Sequence, residues 1–314
     1  MSDNLPGLDA SVIVCTYNRC ESLAETLQAI GALQVPPDWR WELVVVDNNS
    51  RDDTRATVER FQASRPELSV RYEFEARQGL SHARNHAIAA ARGEWLVFTD
   101  DDVLPAPDWL LLLVQGMRTH GCSAAGGYIA PLWLATPPRW LTERFYGFLA
   151  VKTDADGPRE VRRHDEMPFG ASLAFHRRVF SEVGQFDPQL GRMGNKLAGG
   201  EEIDVLMRIV EHGGKVMYFP QAKVRHKVEA FRLEKRYFRR WRYQCSQAEA
   251  AAWPAPSGRH WQGVPLYLFP QLLRAAALTL KMHLLRPADE AFRQEMIVWH
   301  FLGLIRGLRQ RQGG

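Results

Sequence analysis

The sequence predicts an α/β fold, with a mostly parallel central sheet, helices on both faces and a basic helical extension at the C-terminus. Three observations predict it. Short apolar, β-branched runs alternate with amphipathic stretches up to residue 100. The 314 residues suffice for one large α/β domain with an appendage. Three polar motifs, "TYNR", "DNNS" and "TDDD", each close an apolar run, and open α/β sheets bind ligands beyond the carboxyl ends of their strands.

The elements follow in order. "ASVIVCTY" reads as a buried first strand, and "CESLAETLQAIGAL" as a helix with Leu23, Leu27 and Ile30 at helical spacing, ended by Gly31 and "PP". "WELVVVDNNS" is a second strand closing in turn residues, and "RDDTRATVERFQAS" a second helix. "LSVRYEFEA", "LSHARNHAIAAAR" and "EWLVFTD" continue the alternation as strand, helix, strand. Beyond Asp108 the pattern loosens. "WLLLLVQGM" reads as helix, "GGYIAPLWLATPPRW" as strand and loop, and residues 151–165 as a mobile loop rich in charge and Gly/Pro. "ASLAFHRRVFSEVGQFDP" reads as strand, helix and turn, "GGEEIDVLMRIVEHG" as helix, and "KVMYFPQAKVRH" as a closing strand. After His226 the chain is helical and basic, with a break at "AWPAPSGRHWQGVP".

Composition excludes several classes. The four cysteines (Cys15, Cys20, Cys122, Cys245) are widely spaced and form no CxxC, which points to reduced thiols rather than a disulfide framework or zinc site. The N-terminus lacks the basic and apolar regions of a secretory signal, and no apolar run is long enough to span a bilayer, so a cytoplasmic location is expected. No GxGxxG follows the first strand, which disfavours a dinucleotide oxidoreductase. Net charge is +4 but uneven. From Arg225 onward there are 16 Lys/Arg against 6 Asp/Glu, which leaves 24 basic and 30 acidic residues in the first 224. An acidic body with a basic C-terminal section points to an anionic partner for that section.

Asp100, Asp101 and Asp102 stand together at a strand end, where carboxylates resist desolvation and need a compensating cation or donor. Hard oxygen ligands there suit Mg²⁺ or Mn²⁺ bridged to a diphosphate; a capped polar turn fits the triplet equally well in isolation. Asp47 closes "LVVV", placed either to accept hydrogen bonds over the sheet edge or to serve the cap region of the next helix. Arg84 lies on the helix leading into the acidic strand, as a phosphate ligand, a buffer for the carboxylates, or an exposed helix arginine. Glu201, Glu202 and Asp204 occupy the first turn of a helix, where the dipole favours acids and where a carboxylate can also act as general base. Gly199 and Gly200 before them would allow close backbone approach to a ligand. His226 follows the closing strand; a lone histidine is usually structural, though imidazole can complete a metal site.

Taken together, "SVIVCTYNR", "LVVVDNNSRDDT", "GLSHARNHAIAAARGEWLVFTDDDVLP", "FGASLAFHRRVFSEVGQFDP", "GGEEIDVLMRI" and "VRH" resemble the family 2 glycosyltransferases of GT-A fold, over roughly residues 10 to 230. The resemblance implies a Rossmann-like nucleotide-binding sandwich over 1–226, a helical extension over 227–314, and metal-dependent, inverting sugar transfer to a hydroxyl acceptor in bacterial polysaccharide or glycolipid assembly. It assigns Thr16, Tyr17 and Asn18 to the nucleotide wall, Asp47 to the base (typically uracil, hence a UDP-sugar) and Arg84 to the diphosphate side. Asp100 and Asp102 match the outer positions of the DxD motif. Asp102 would bind the divalent cation directly, and Asp100 would contact ribose or a metal-bound water, with Asp101 placed to share either role. His226 takes the place of a histidine that completes metal or diphosphate binding in some members. The family's base is the second acid of a Gly-Glu-Asp signature, here Gly200-Glu201-Glu202, which makes Glu202 the candidate with Glu201 and Asp204 as alternatives. The departure lengthens the base by one methylene. Two further readings of the acids remain: a nucleotidyltransferase or metal-dependent phosphohydrolase on a similar sheet, which leaves the "GEEID" helix unexplained, and a catalytically silent nucleotide-binding module.

"RLEKRYFRRWRYQCSQ" interleaves arginine with aromatics, but no nucleic-acid-binding domain motif accompanies it and nucleic acid is not an expected partner. Downstream, Leu273, Leu280 and Leu284 share one helical face, as do Ile297, Phe301, Leu304 and Leu308. Part of this region is expected to pack as an ordinary helical cap. A basic amphipathic surface resting peripherally on the inner face of the cell membrane is the alternative, suited to a glycan or lipid-linked acceptor.

Overall fold

A computed structural model describes residues 8–192, 199–252 and 258–311. The chain begins β1 (Leu8–Thr16), α1 (Cys20–Gly31), β2 (Trp41–Asp47), α2 (Thr54–Ser64), β3 (Ser69–Phe74), α3 (Leu80–Ala90) and β4 (Gly93–Asp100). It continues with β5 (Val103–Pro105), α4 (Trp109–His120), β6 (Ala124–Trp133), β7 (Arg159–Glu160), β8 (Leu173–His176), α5 (Val179–Glu182), α6 (Glu201–Glu211) and β9 (Val216–Val228). Last come α7 (Lys235–Ala252), β10 (His260–Trp261), β11 (Val264–Pro265), α8 (Leu268–Leu285) and α9 (Ala288–Arg311). Each helix and strand expected from the sequence is present. Part of the expected break at "AWPAPSGRHWQGVP" (253–257) lies outside the described residues.

The main sheet runs β3-β2-β1-β4-β8-β6-β9-β5, with β7 paired to β9. Strands β3, β2, β1 and β4 are parallel, with Thr16 opposite Asp47 and Cys15 opposite Asp100. β8 joins β4 antiparallel, and β5 joins β9 antiparallel. The order reverses between β1 and β4, because the chain moves outward from β1 to β3 and then returns to β1's other side. The crevice where a parallel sheet takes its ligand therefore opens at the ends of those two strands.

Strands β1, β2 and β4 are mainly apolar because both of their faces are buried, whereas β3, at the sheet edge, carries Arg71 and Glu73 and is only partly covered. Val12, Val14, Leu43, Val45 and Val97 pack with Leu23, Leu27 and Ile30 of α1, Val58 and Phe61 of α2, and Leu113 and Met117 of α4. Ile13, Val44, Val46, Leu96 and Phe98 face the opposite way, onto Ala83 and Ala87 of α3 and Val205, Leu206 and Ile209 of α6. Gly93 begins β4 because a Cβ there would sit 2.3 Å from the Ser11 amide nitrogen of β1.

Residues 151–165 differ from the mobile loop expected of them. Lys152 forms a bridge with Ile129, and Arg159–Glu160 hydrogen-bonds to β9 as a strand. The charges that made the segment look like a loop are used locally: Arg159 pairs with Asp154, and both Arg159 and Lys152 stack on Tyr218.

The chain divides into two compact units. Among the described residues, one holds 8–132, 150–192 and 200–227; the other holds 133–149, 199 and 228 onward. The second unit is built on Trp140, Phe145, Phe238 and Phe292, which meet edge to face. In it, α7 and α9 come into backbone contact, since Cβ atoms at Gly303 and Gly307 would lie 2.2 Å from the Tyr243 carbonyl and 2.4 Å from the Gln247 carbonyl. Leu304 and Leu308 are buried there with Val264 and Leu268, as a packed cap requires, whereas Ile297 is exposed. Among the described residues no helix is long and apolar enough to cross a membrane.

Candidate active site at the strand ends

The aspartate triplet that ends β4 is compensated residue by residue. Asp101 is buried, and its Oδ2 accepts a 2.7 Å hydrogen bond from the Thr16 hydroxyl at the end of β1. Arg19, the first residue past "TYN", reaches over both neighbours, with its Nη1 3.2 Å from Asp101 Oδ1 and 2.8 Å from Asp102 Oδ2. The other oxygen of Asp102 lies 3.3 Å from Nε2 of His226, which β9 delivers through its pairing of Val103 with His226. Burial pushes the Asp101 carboxyl up to about 7, with the Arg19 charge pulling down and Asp102 pushing up. Asp100 is the most open of the three and points toward Arg84, 3.8 Å away.

Asp47 ends β2 and is buried. Its Oδ1 accepts the Ser50 amide at 2.8 Å and its Oδ2 accepts the Tyr72 hydroxyl at 2.7 Å. Burial and the Asp47 charge raise the Tyr72 phenol, which therefore keeps its proton and donates. Asn18 adopts φ 51° and clasps the neighbouring loop: its amide donates to Ser50 Oγ and its Oδ1 accepts the Arg51 amide. Tyr17 is exposed beside it, its ring available at the rim.

Arg84 is not a solvated helix arginine. Its side chain is 4 % exposed and faces three carboxylates: Glu201 Oε1 at 2.7 Å, Asp100 at 3.8 Å and Glu202 Oε2 at 4.0 Å. Phe186 packs under the guanidinium at 5.3 Å, and Gly170 leaves the space for it, since a Cβ there would stand 2.2 Å from Arg84 Nη2. One cation cannot compensate three acids out of water. Burial and the Glu202 charge accordingly push Glu201 up to about 8 against the pull of Arg84.

The three acids of α6 have separate surroundings. Glu201 lies against Arg84 with a side chain 3 % exposed and Glu202 is 15 % exposed, and the Oε2 of each is buried without a hydrogen bond among the described residues. Asp204 turns to Arg208 one helical turn on, 2.7 Å away, and that guanidinium also caps the carbonyls of Val183 and Gln185. Gly200 precedes the helix at φ +107°, a backbone conformation that residues with a Cβ rarely adopt, and no described protein atom lies within 4 Å of where a Cβ would be.

The strand ends thus gather Thr16, Asp100, Asp101, Asp102 and His226 at one crevice, joined through Arg84 to Glu201 and Glu202. Asp47 and Asn18 flank it, and Asp204 lies in a separate ion pair. Arg19 and Tyr72 were absent from the sequence-based candidates. The signal for Arg19 was its place after "TYN", and for Tyr72 its place beside Asp47 on the neighbouring strand. Among the described residues no three His, Cys, Asp or Glu side chains converge as a self-sufficient metal cage. Asp102 and His226 supply one carboxylate and one imidazole, a donor pair that fits a divalent cation whose remaining ligands come from a diphosphate and water.

Comparison with known proteins converges on this crevice's fold. The model of the family described as "Glycosyl transferase family 2" matches residues 11–184. The glucosyl-dolichyl phosphate glucuronosyltransferase of Haloferax volcanii is 32% identical over 233 residues, 72% of each chain. The succinoglycan biosynthesis protein ExoM of Rhizobium meliloti is 30% identical over 242 residues, covering 76% of this chain and 74% of that protein. Among solved structures, the mannosyltransferase PcManGT from Pyrobaculum calidifontis, in complex with GDP-Man and Mn²⁺, superposes with a TM-score of 0.63 at 22% identity, over 96% of this chain and 87% of that one. S. aureus TarS 1-349 in complex with UDP superposes with a TM-score of 0.53 at 17% identity, over 98% and 92%. At such identities the structural likeness shows the fold alone, which is GT-A.

Proposed function

Since the chain belongs to glycosyltransferase family 2, we propose that it carries out metal-dependent, inverting transfer of a sugar from a nucleotide-sugar donor, a UDP-sugar foremost, to an acceptor hydroxyl. The observation that carries the reading is the Arg84 bridge. It ties Asp100, beside the cation-type pair Asp102–His226, to the partly buried acid Glu202 at the same sheet rim.

Asp47 accepts a ring N–H of the base, with Tyr72 holding the carboxylate in place and Tyr17 offering its ring face. Thr16 and Asn18 complete the nucleotide wall. Asp102, His226 and Asp100 hold the divalent cation, Mn²⁺ or Mg²⁺, which when bound neutralises the leaving diphosphate. Asp101 keeps Thr16 and Arg19 in register behind that pair. Glu202 accepts the proton of the acceptor hydroxyl as its oxygen forms a bond to the anomeric carbon. The anomeric C–O bond to the diphosphate breaks on the opposite side, its electron pair leaves with the diphosphate, and configuration inverts in one displacement. Glu201 and Arg84 orient Glu202 rather than meeting the acceptor.

The acceptor belongs to glycan or lipid-linked glycan assembly in bacteria, at the inner membrane surface. Support for the glycan or lipid-linked character of the acceptor, though not for the organism class or the membrane location, comes from the two relatives, one named a glucosyl-dolichyl phosphate glucuronosyltransferase and one a succinoglycan biosynthesis protein. The test is nucleotide release from UDP-, GDP- and dTDP-sugars with Mn²⁺ or Mg²⁺ and with chelator, and the anomeric configuration of the product by NMR. Glu202→Gln is expected to lower kcat by about 10²–10⁴ while retaining nucleotide binding, and Asp102→Asn to remove metal dependence together with turnover. Full metal-dependent transfer by either variant would sink these roles.

A further inference from the structure

Helix α8 is apolar on two opposite sides. Leu268, Ala275 and Thr279 form its buried face, with Leu272 packed beside them. On the far side Leu273, Ala277, Leu280 and Leu284 follow one another at spacings of four, three and four residues, a single stripe along the helix. All four are exposed, and the three leucines stand 69 %, 66 % and 77 % open to solvent. Leu266 and Tyr267 extend the same exposed apolar surface at the start of the helix. A helix that is apolar all round is normally enclosed by protein on every side, so a stripe of this length open to solvent marks a contact surface.

Charge identifies what covers it. From Ala250 to Ala288 the sequence contains no Asp or Glu, against Arg259, Arg274, Lys281 and Arg286. Arg274 and Lys281 flank the leucine stripe one residue from Leu273 and Leu280, and both are exposed along with Arg286. Among the described residues none of these three cations has a carboxylate partner. A second copy of this surface would set cation against cation. An apolar strip edged by unpaired cations and a tyrosine instead matches an anionic bilayer surface, with leucines entering the acyl boundary and cations meeting phosphate headgroups. Interrupted by Arg274 and Lys281, α8 is not long and apolar enough to cross a bilayer, so a lipid contact through this face would lie in the interface plane.

We infer that the exposed face of α8, the Leu273–Leu280–Leu284 stripe with Arg274 and Lys281, is the surface by which this protein docks on anionic lipid. The inference deepens the proposed location at the membrane and rests on it, but not on the roles of the catalytic acids.

The experiment is co-sedimentation of the full chain with vesicles of equal parts phosphatidylglycerol and phosphatidylcholine, and with phosphatidylcholine alone. The wild type is expected to bind the anionic vesicles and to prefer them over neutral ones. Leu273→Ser with Leu280→Ser is expected to weaken binding at least roughly tenfold, and Arg274→Gln with Lys281→Gln to remove the anionic preference by roughly tenfold or more. Leu284→Gln, at the most exposed leucine, provides a single-site variant with the least risk to folding. Melting temperature and nucleotide release in solution are measured on every variant, and both should match wild type. Loss of solution turnover in the wild type would count against the transferase reading alone. Wild type that ignores anionic vesicles, or leucine variants that bind as wild type does, would overturn the docking surface. So would a wild-type dimer that the leucine variants dissociate while vesicle binding is unchanged.

Discussion

Arg84 shows how one residue can tie several acids of a site together. Its guanidinium is buried and contacts acids from β4 and from α6, elements more than 100 positions apart in the chain, at 2.7 to 4.0 Å. Removing one partner of such a pair leaves uncompensated charge in a dry environment. Arg84→Ala is therefore expected to cost about 3–5 kcal/mol in urea unfolding, far more than an exposed arginine would. Glu201 has the opposite pH signature from an ordinary surface acid. Its folded value of about 8 lies above the unfolded 4.5, so the fold binds the proton more tightly than the open chain does. That contribution to stability is complete below about 4.5 and is lost as pH rises to about 8. The melting temperature of the wild type should fall across this window, and that of Glu201→Gln, which is permanently uncharged, should fall less. An equal fall in both would assign the pH dependence to other groups.

Among the elements, α6 is the piece whose start matters most. Gly200 enters it at φ +107°, a region costly to any residue with a Cβ, and the next two residues are the acids of the site. Gly200→Ala is expected to cost about 1–3 kcal/mol by backbone strain. It should also lower kcat more than it raises the KM for donor, because the helix start carries Glu202, the proposed base, while the proposed nucleotide wall belongs to β1 and β2. Steady-state kinetics separate the two effects. The strands were legible for a simple reason: valine-rich runs need no periodicity when both faces are buried, and "LVVVD" and "LVFTD" announce where the apolar environment stops. Residues 151–165 were not legible in this way. Their charges satisfy one another on Tyr218 and β9, a pairing that no local pattern displays.

For the molecule as a whole, nucleotide and cation should act as linked ligands of the first unit. UDP with Mn²⁺ at about 100 times the dissociation constant is expected to stabilise the protein by about 2.7 kcal/mol. Differential scanning fluorimetry should show a rise in melting temperature that chelator reverses and that Asp102→Asn abolishes. A rise with UDP that neither chelator nor Asp102→Asn alters would show that nucleotide binding is not linked to a cation at Asp102. The alternation of strands and helices, the rim on which Asp47 and Asp100–Asp102 stand, and the family could all be read from the chain, because they depend on hydrophobic runs and on motifs local in it. Which partners the acids of "GEEID" take, what balances the aspartate triplet and which leucines stay wet could not. Folding resolved these: it sealed Glu201 on Arg84, tied Asp204 to Arg208, set Arg19 and His226 against Asp102, and left the α8 stripe uncovered. Burial and charge compensation are properties of neighbours in space, and most of these neighbours lie tens to hundreds of residues apart.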